Sequence, residues 1–242
     1  MAEPQARVRL SAVLVAAGTG SRFADAERKR AKQFVDLCGR PMYLWPLRAL
    51  VEHGAVEQVV LATLPDMVPV VEAELQAGAL AMRVRVIAGG ATRQESVWLG
   101  LRSLAEEPAA PEFVLIHDAA RPLLTPEIID RTVDVVAKYG ACTTCVPVAD
   151  TIKRVHDGFV LETVSRENLV LVQTPQAARL AWLLEAHQLA KDKRLEATDD
   201  AAVLESAGYP VAVVTGALHN LKVTRPEDMI VAEALCTALL VP

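Results

Sequence analysis

Near the start of the chain, the stretch LVAAGTGSRF (Leu14 to Phe23) ends an apolar run in small residues and glycine and then places Arg22. A loop of that composition turns backbone amides toward phosphate oxygens. Gly18-x-Gly20 opens like a dinucleotide fingerprint, but Phe23 stands where the third glycine belongs. No Gly-Lys-Ser/Thr follows either, so a P-loop is excluded as well. A run of charge comes next, with Arg28, Lys29, Arg30 and Lys32. Arg28, Lys29 and Arg30 read as a solvated loop. Arg22 and Lys32 bracket that segment, and Lys32 leads back into apolar QFVDL. Cations converging on a triphosphate neutralise the charge that grows on the leaving oxygens.

Further along, AGGATRQES carries Gly89 and Gly90, which let the backbone approach a ligand closely. Thr92 with Glu95 offers a capping box, and Ser96 lies one turn in, able to hydrogen-bond a polar edge such as a base. The plainer reading is an ordinary glycine turn and helix cap. In IHDAARPLL, Asp118 and Arg121 are poor core material unless paired. Asp118 can hold a substrate hydroxyl or a magnesium ion, and Arg121 is its candidate structural partner. Arg166 and Lys222 are further candidate ligands, although each alone reads as surface charge.

The elements that must position these residues follow from periodicity. RVRLSAVLVAA, VEQVVLAT, RVRVIAG, EFVLIHDAA, ACTTCVPV and PVAVVTG read as strands. Helical patterns lie between them: PMYLWPLRALVEH after Pro41, MVPVVEAELQAG, TRQESVWLGLRSL, and PEIIDRTVDVVAKYG closed by Gly140. Another helix is predicted from Pro175 to about Lys191, and a last one from Pro226 with a Thr224–Glu227 cap. Such alternation predicts an α/β fold, a three-layer, mostly parallel, doubly wound sheet with right-handed crossovers. Ligands then sit at the carboxyl ends of the strands, where the loops described above fall.

One stretch breaks the alternation. DTIKRVHDGFVLETVSRENL has period two about His156, Asp157 and Gly158, a hairpin signal. It has no obvious sheet to join, so it is an edge excursion or an arm that packs on a second subunit. With no repeat or linker, residues 1–242 read as a single domain with a β-arm at about 149–168.

Composition bounds the function. Hydrophobic residues make up 52% and aromatics only 4%, which suits helices on a buried sheet. A net charge of −5 argues against nucleic acid as a partner of the whole surface. No window approaches the ~20 apolar residues of a membrane span, and MAEPQARVRL has no signal core, so a cytoplasmic protein without a membrane partner is expected. Cys142 and Cys145 form a C-x-x-C, but in a strand they point to opposite faces, and no second pair completes a zinc site. They read as buried thiols in a reducing compartment.

AAGTGSRF…AKQF, GRPM, GGATRQESV, HDAARP, DTIK, SRENL, QTPQ, ATDDAAVLE and LKVTRPEDM occur in one order from about residue 10 to 235. In this the chain resembles the 2-C-methyl-D-erythritol 4-phosphate cytidylyltransferases of the non-mevalonate isoprenoid pathway. The resemblance implies a nucleotide-diphospho-sugar transferase-like fold with a projecting β-hairpin dimerisation arm. It implies transfer of CMP from CTP to methylerythritol 4-phosphate, with release of magnesium pyrophosphate. Arg22 and Lys32 would stabilise the transition state, and Ala16, Ala17, Gly18, Thr19 and Gly20 would form the nucleotide-binding turn. Gly90, Ala91 and Ser96 would form the cytosine pocket. Asp118 would meet the acceptor hydroxyls, and Thr151, Arg166 and Lys222 its phosphate. Thr151 and Arg166 would serve the partner's site in a homodimer with exchanged arms.

The family pattern has departures: Ala31 replaces a proline, the segment from Arg22 to Lys32 is longer, and His219 replaces an acidic residue. The last change leaves Mg2+ to the CTP phosphates, with Asp118 as the one protein candidate. Competing readings are a ribitol-5-phosphate cytidylyltransferase and a catalytically silent nucleotide-binding regulator; SRENL favours methylerythritol.

Overall fold

The strand that leads to the small-residue loop, β1 (Leu10–Ala16), is buried along its whole length, as a strand covered on both faces must be. Leu10, Ala12, Leu14 and Ala16 face a layer with Leu47, Leu50, Val71, Ile128 and Ile129. Val13 and Val15 face the opposite layer, with Val97, Leu101, Leu183 and Val203. This period-two division within a single strand produces the three layers.

The computed structural model describes residues 8–18, 31–76 and 80–240. After β1 come β2 (Asp36–Leu37), β3 (Arg40–Pro41), α1 (Leu44–Glu52), β4 (Val56–Thr63), α2 (Val68–Gln76), β5 (Val84–Ala88) and α3 (Arg93–Ala105). Then follow β6 (Phe113–Asp118), α4 (Pro126–Tyr139), β7 (Ala141–Pro147), β8 (Ile152–His156), β9 (Phe159–Val164) and β10 (Val170–Arg179). The chain ends with α5 (Leu180–Asp192), α6 (Asp200–Ser206), β11 (Ala212–Thr215) and α7 (Pro226–Leu239).

The main sheet has seven strands in the order β11-β7-β10-β6-β1-β4-β5. β1 pairs parallel with β4 on one side and with β6 on the other. The winding therefore reverses at β1, and the crevice beyond Ala16 and Asp118 is the topological switch point. Only β10 runs against its neighbours, antiparallel to both β6 and β7.

β10 corrects the sequence reading. The helix expected from Pro175 begins at Leu180, and Val170–Arg179 is a central strand. Proline is normally excluded from such a strand because it cannot donate to the ladder. The pairing with β7 slips between Val172 and Gln176, and Pro175 sits in that irregularity. The cap of α7 also differs from expectation. Asp228, rather than Glu227, accepts from the backbone of Thr224 and Arg225 and from the Thr224 hydroxyl, at 2.7, 2.9 and 2.8 Å.

β8 and β9 pair with each other in a separate two-stranded sheet. Asp157 (φ +48°) and Gly158 (φ +81°) make the tight turn, as the His-Asp-Gly signal predicts. Phe159, Val160 and Leu161 on this arm are 76%, 60% and 60% exposed. All four cysteines are unpaired, with Cys142 and Cys145 buried in β7. Among the described residues no helix is long and apolar enough to cross a membrane.

Candidate active site

The carboxyl end of β1 releases Ala16, Ala17 and Gly18 into the crevice. Their backbone is fixed by Gln33, whose buried amide donates to the carbonyls of Ala16 and Gly18 at 2.5 and 3.0 Å. Across from this turn, the Gly89 N–H donates to the Thr63 carbonyl at the end of β4, at 2.7 Å. A Cβ on Gly89 would lie 2.3 Å from that of Ala17, so the two loops approach as closely as they do only because residue 89 is glycine.

Behind the Gly-Gly turn, the Thr92 hydroxyl accepts from the Glu95 N–H at 3.0 Å, which is one half of the expected capping box. The other half reaches further back, since the Glu95 carboxylate accepts from Ala91 N–H at 2.7 Å rather than from Thr92. The buried Ser96 hydroxyl donates to the Thr92 carbonyl (2.8 Å) and accepts from Gly90 N–H (3.1 Å). Ser96 thus sets the shape of this wall from behind, whereas Ala91 and Thr92 form its surface.

Asp118, at the end of β6, is 6% exposed and sits between two cations. Its Oδ1 accepts from Arg93 Nε at 2.8 Å and its Oδ2 from Lys222 Nζ at 2.6 Å. Burial alone would raise its pKa, but Arg93 and then Lys222 outweigh this and hold the carboxyl well below the usual range. The sequence reading paired Asp118 with Arg121, and the structure corrects this. Arg121 donates to the carbonyls of Asn220 (2.9 Å) and Val172 (3.3 Å), tying the segment after β6 to β10 and to the loop after β11. Arg93 in turn reaches Asp200 Oδ2 with Nη1, at 2.9 Å.

The backbone of Asp118 is held as firmly as its side chain. Its N–H donates to the Thr174 hydroxyl on β10 at 3.1 Å, and that hydroxyl meets His117 Nδ1 at 3.1 Å. His117 Nε2 faces the Arg121 carbonyl at 3.0 Å, a pure acceptor, which assigns the proton to Nε2 and leaves Nδ1 to accept from Thr174. Burial pushes this imidazole down to about 4, so it is neutral near pH 7.

These parts enclose a cleft of about 230 Å3 lined by Ala16, Ala17, Gly18, Lys32, Arg93, Asp118 and Lys222, among others. Lys32 enters it from the short 3-10 turn Lys32–Phe34 and donates to the Val223 carbonyl at 2.8 Å. A cationic side chain, backbone amides at a strand end and a clamped carboxylate therefore share one crevice. That combination suits a polyphosphate met by a second, hydroxyl-bearing substrate.

Comparison with known proteins decides the family. The family model for 2-C-methyl-D-erythritol 4-phosphate cytidylyltransferase matches residues 10–238. A cytidylyltransferase of that description from Pelotomaculum thermopropionicum is 43% identical over 95% of both chains. Another from Halalkalibacterium halodurans is 40% identical over 93% of this chain and 96% of its own. The crystal structure of the Thermus thermophilus cytidylyltransferase superposes with a TM-score of 0.76 at 34% identity, covering 93% of this chain and 97% of that one. The chain belongs to the 2-C-methyl-D-erythritol 4-phosphate cytidylyltransferase family. It is therefore a nucleotidyltransferase, on the fold its motifs implied.

Set against this family, Ala16, Ala17, Gly18, Lys32, Ala91, Asp118 and Lys222 converge on the cleft. Gly90 and Ser96 support it from behind. Thr151 and Arg166 do not line it: both are exposed at the base of the arm, where Arg166 donates to the Ala149 carbonyl. Thr19, Gly20 and Arg22, with Arg28, Lys29 and Arg30, lie outside the described residues. Sequence reading missed Gln33, Arg93 and Thr174, which organise the walls of this cleft. Arg93 stood in GGATRQES, and its charge at the start of a helix, where the dipole repels a cation, was the available signal.

Proposed function

We infer that this protein transfers the CMP moiety of CTP to 2-C-methyl-D-erythritol 4-phosphate, giving 4-diphosphocytidyl-2-C-methyl-D-erythritol and pyrophosphate. The observation that carries the reading is the placement of Lys32 and the Ala16–Gly18 turn beside the clamped Asp118 at the switch point of the sheet. The turn receives the triphosphate. The acceptor phosphate oxygen attacks the α-phosphorus in line, and Lys32, with Arg22, neutralises charge on the equatorial and leaving oxygens. Asp118 accepts from the acceptor hydroxyls, and its low pKa keeps it an acceptor throughout the physiological range. A phosphate monoester is already a nucleophile at neutral pH, so no general base is required; the buried, neutral His117 serves the backbone instead.

Mg2+ belongs to this reading as a companion of the CTP phosphates. Asp118 fits poorly as its ligand, because both carboxylate oxygens are engaged by Arg93 and Lys222. Among the described residues no group of three or more His, Cys, Asp or Glu is placed to hold a metal ion. The triphosphate oxygens are the donors suited to the ion, and its chemistry there would be charge neutralisation on the leaving pyrophosphate.

The active form is a homodimer with exchanged arms. The exposure of Phe159, Val160 and Leu161 supports this, as does the position of Thr151 and Arg166 away from the cleft of their own chain. Each arm would bring these two residues to the acceptor phosphate in the partner's cleft. Unpaired thiols support a cytoplasmic setting.

Pyrophosphate release from CTP and Mg2+ tests the assignment, with methylerythritol 4-phosphate and ribitol 5-phosphate as alternative acceptors. Release with methylerythritol 4-phosphate alone is expected. Release only with ribitol 5-phosphate would change the acceptor, and CTP binding without release would leave a silent nucleotide-binding protein.

A further inference from the structure

The ATDDAAVLE stretch has no part in the reaction as described, yet its second aspartate is among the most deeply buried charges in the molecule. Asp200 is 1% exposed and opens α6. Its backbone N–H and that of Ala201 both donate to the Gln176 side-chain oxygen at 2.9 Å, which fixes this helix end against β10. Its carboxylate faces Arg93 Nη1 at 2.9 Å and, more distantly, His187 Nε2 at 3.5 Å.

Arg93 needs such a partner. It is the first residue of α3, where unpaired backbone N–H groups and the helix dipole oppose a cation, and burial opposes it further. Asp200 and Asp118 together more than restore its charge. The two carboxylates lie on different atoms of the guanidinium, Asp118 on Nε and Asp200 on Nη1. Asp118 accepts a hydrogen bond at Nε while Asp200 forms an ion pair with Nη1, so the planar guanidinium is restrained from two sides. Lys222, the other partner of Asp118, has a flexible stem and a 35% exposed side chain, so it constrains direction less.

We propose that Asp200 is a positioning residue for the transfer reaction: it touches no substrate, but through Arg93 it fixes the rotamer of Asp118 that receives the acceptor. The charges Lys222, Asp118, Arg93 and Asp200 balance in pairs. Neutralising Asp200 leaves two cations competing for one carboxylate and frees one end of the guanidinium. The inference rests on the assigned reaction, because Asp118 matters only if an acceptor binds it.

A double-mutant cycle tests it, with Asp200→Asn, Arg93→Gln and the double variant. Each is assayed for KM of methylerythritol 4-phosphate, kcat, CTP affinity by calorimetry and thermal midpoint. Asp200→Asn is expected to raise the acceptor KM or lower kcat by on the order of tenfold to a hundredfold, as for a misplaced contact. CTP affinity should stay within about twofold, since the phosphate turn is held independently by Gln33. The double variant should be no worse than Arg93→Gln alone, because Asp200 acts only through Arg93.

Effects that add, or a drop in thermal midpoint with acceptor kinetics unchanged, would overturn the proposal while the wild-type reaction stands. A wild type that releases no pyrophosphate would overturn the reaction itself and this inference with it. Should Asp200→Asn not fold, Asp200→Glu keeps the charge and moves it by one methylene. An acceptor KM and a kcat both equal to wild type in that variant would equally refute the role.

Discussion

Replacing Gly89 by alanine tests how tightly the two loops of the cleft are held. The new methyl carbon would sit 2.3 Å from the Ala17 Cβ, 2.9 Å from the Ser96 hydroxyl and 3.2 Å from the Thr63 carbonyl. Carbon atoms in contact rest about 3.5–4.0 Å apart, so the loops must separate by more than about 1 Å. Neither side yields easily. Gly89 is pinned to β4 through the Thr63 carbonyl, and the carbonyls flanking Ala17 are held by Gln33. Overpacking costs about 1–3 kcal/mol, and with backbone on both sides the upper end is expected, a fall of roughly 10 °C in Tm. A loop displaced by 1 Å should also lower turnover about a hundredfold. Ala17→Gly removes the nearest contact. Although it costs about 0.5–1 kcal/mol alone for backbone entropy, in the Gly89→Ala background it should recover more than half of the lost stability. Denaturant unfolding of the wild type, both single variants and the double variant gives the coupling energy directly. If Gly89→Ala lies within about 0.5 kcal/mol of wild type, or if Ala17→Gly adds to its effect, the close approach of these loops is not what the structure describes.

Lys32→Ala should lower kcat by about 10²–10³-fold with CTP affinity little changed, because its charge acts on the transition state; equal losses in calorimetric affinity would refute that role. Stability should fall in acid through His117, whose pKa drops from 6.5 in the unfolded chain to about 4 when folded. Its contribution is complete above pH 6.5 and is lost as pH falls toward 4, because only the unfolded chain takes up the proton. The decline is about 1.4 kcal/mol per pH unit, roughly 3 kcal/mol in all, and urea unfolding at stepped pH should show His117→Gln losing that part of the slope. For the exchanged arm, Lys32→Ala and Arg166→Ala homodimers should each be nearly inactive. Mixing and refolding them should restore up to about a quarter of wild-type activity, through mixed dimers with one intact site; no recovery despite mixed dimers would place Arg166 in its own chain's cleft.

Much of this architecture is legible in local pattern. β4 coincides with VEQVVLAT, and Gly140, at φ +85°, closes α4 where the sequence placed it. The failures share a cause, which is that the deciding contact is remote. β10 reads as a helix because Pro175 argues against a central strand, and only the slipped register with β7 makes room for it. Gln33 has no local signal for its role, since the carbonyls it holds lie 15 and 17 residues away. Arg93 and Asp118 are 25 residues apart in sequence, and Arg121 was the nearer partner by chain distance alone. Charges in the site could thus be recognised as needing partners, but the pairing is set by where the strand ends meet.

The antiparallel β10 also bears on how the molecule is assembled. β6 and β7 run in the same direction but do not pair with each other, since β10 lies between them. β5, β4, β1 and β6 can form a continuous half-sheet from residues made before position 119, while β7 and β11 must wait for the strand that follows the arm. On an emerging chain the turn at Ala16, Lys32, Arg93 and Asp118 are all present early. The groups that bring them to charge balance and fix the backbone, Thr174, Asp200 and Lys222, arrive only afterwards. On the proposed assignment, catalytic competence is therefore a late event in the life of the nascent chain, and a polypeptide truncated before β10 would hold the Ala16–Gly18 turn and Lys32 without Thr174, Asp200 and Lys222.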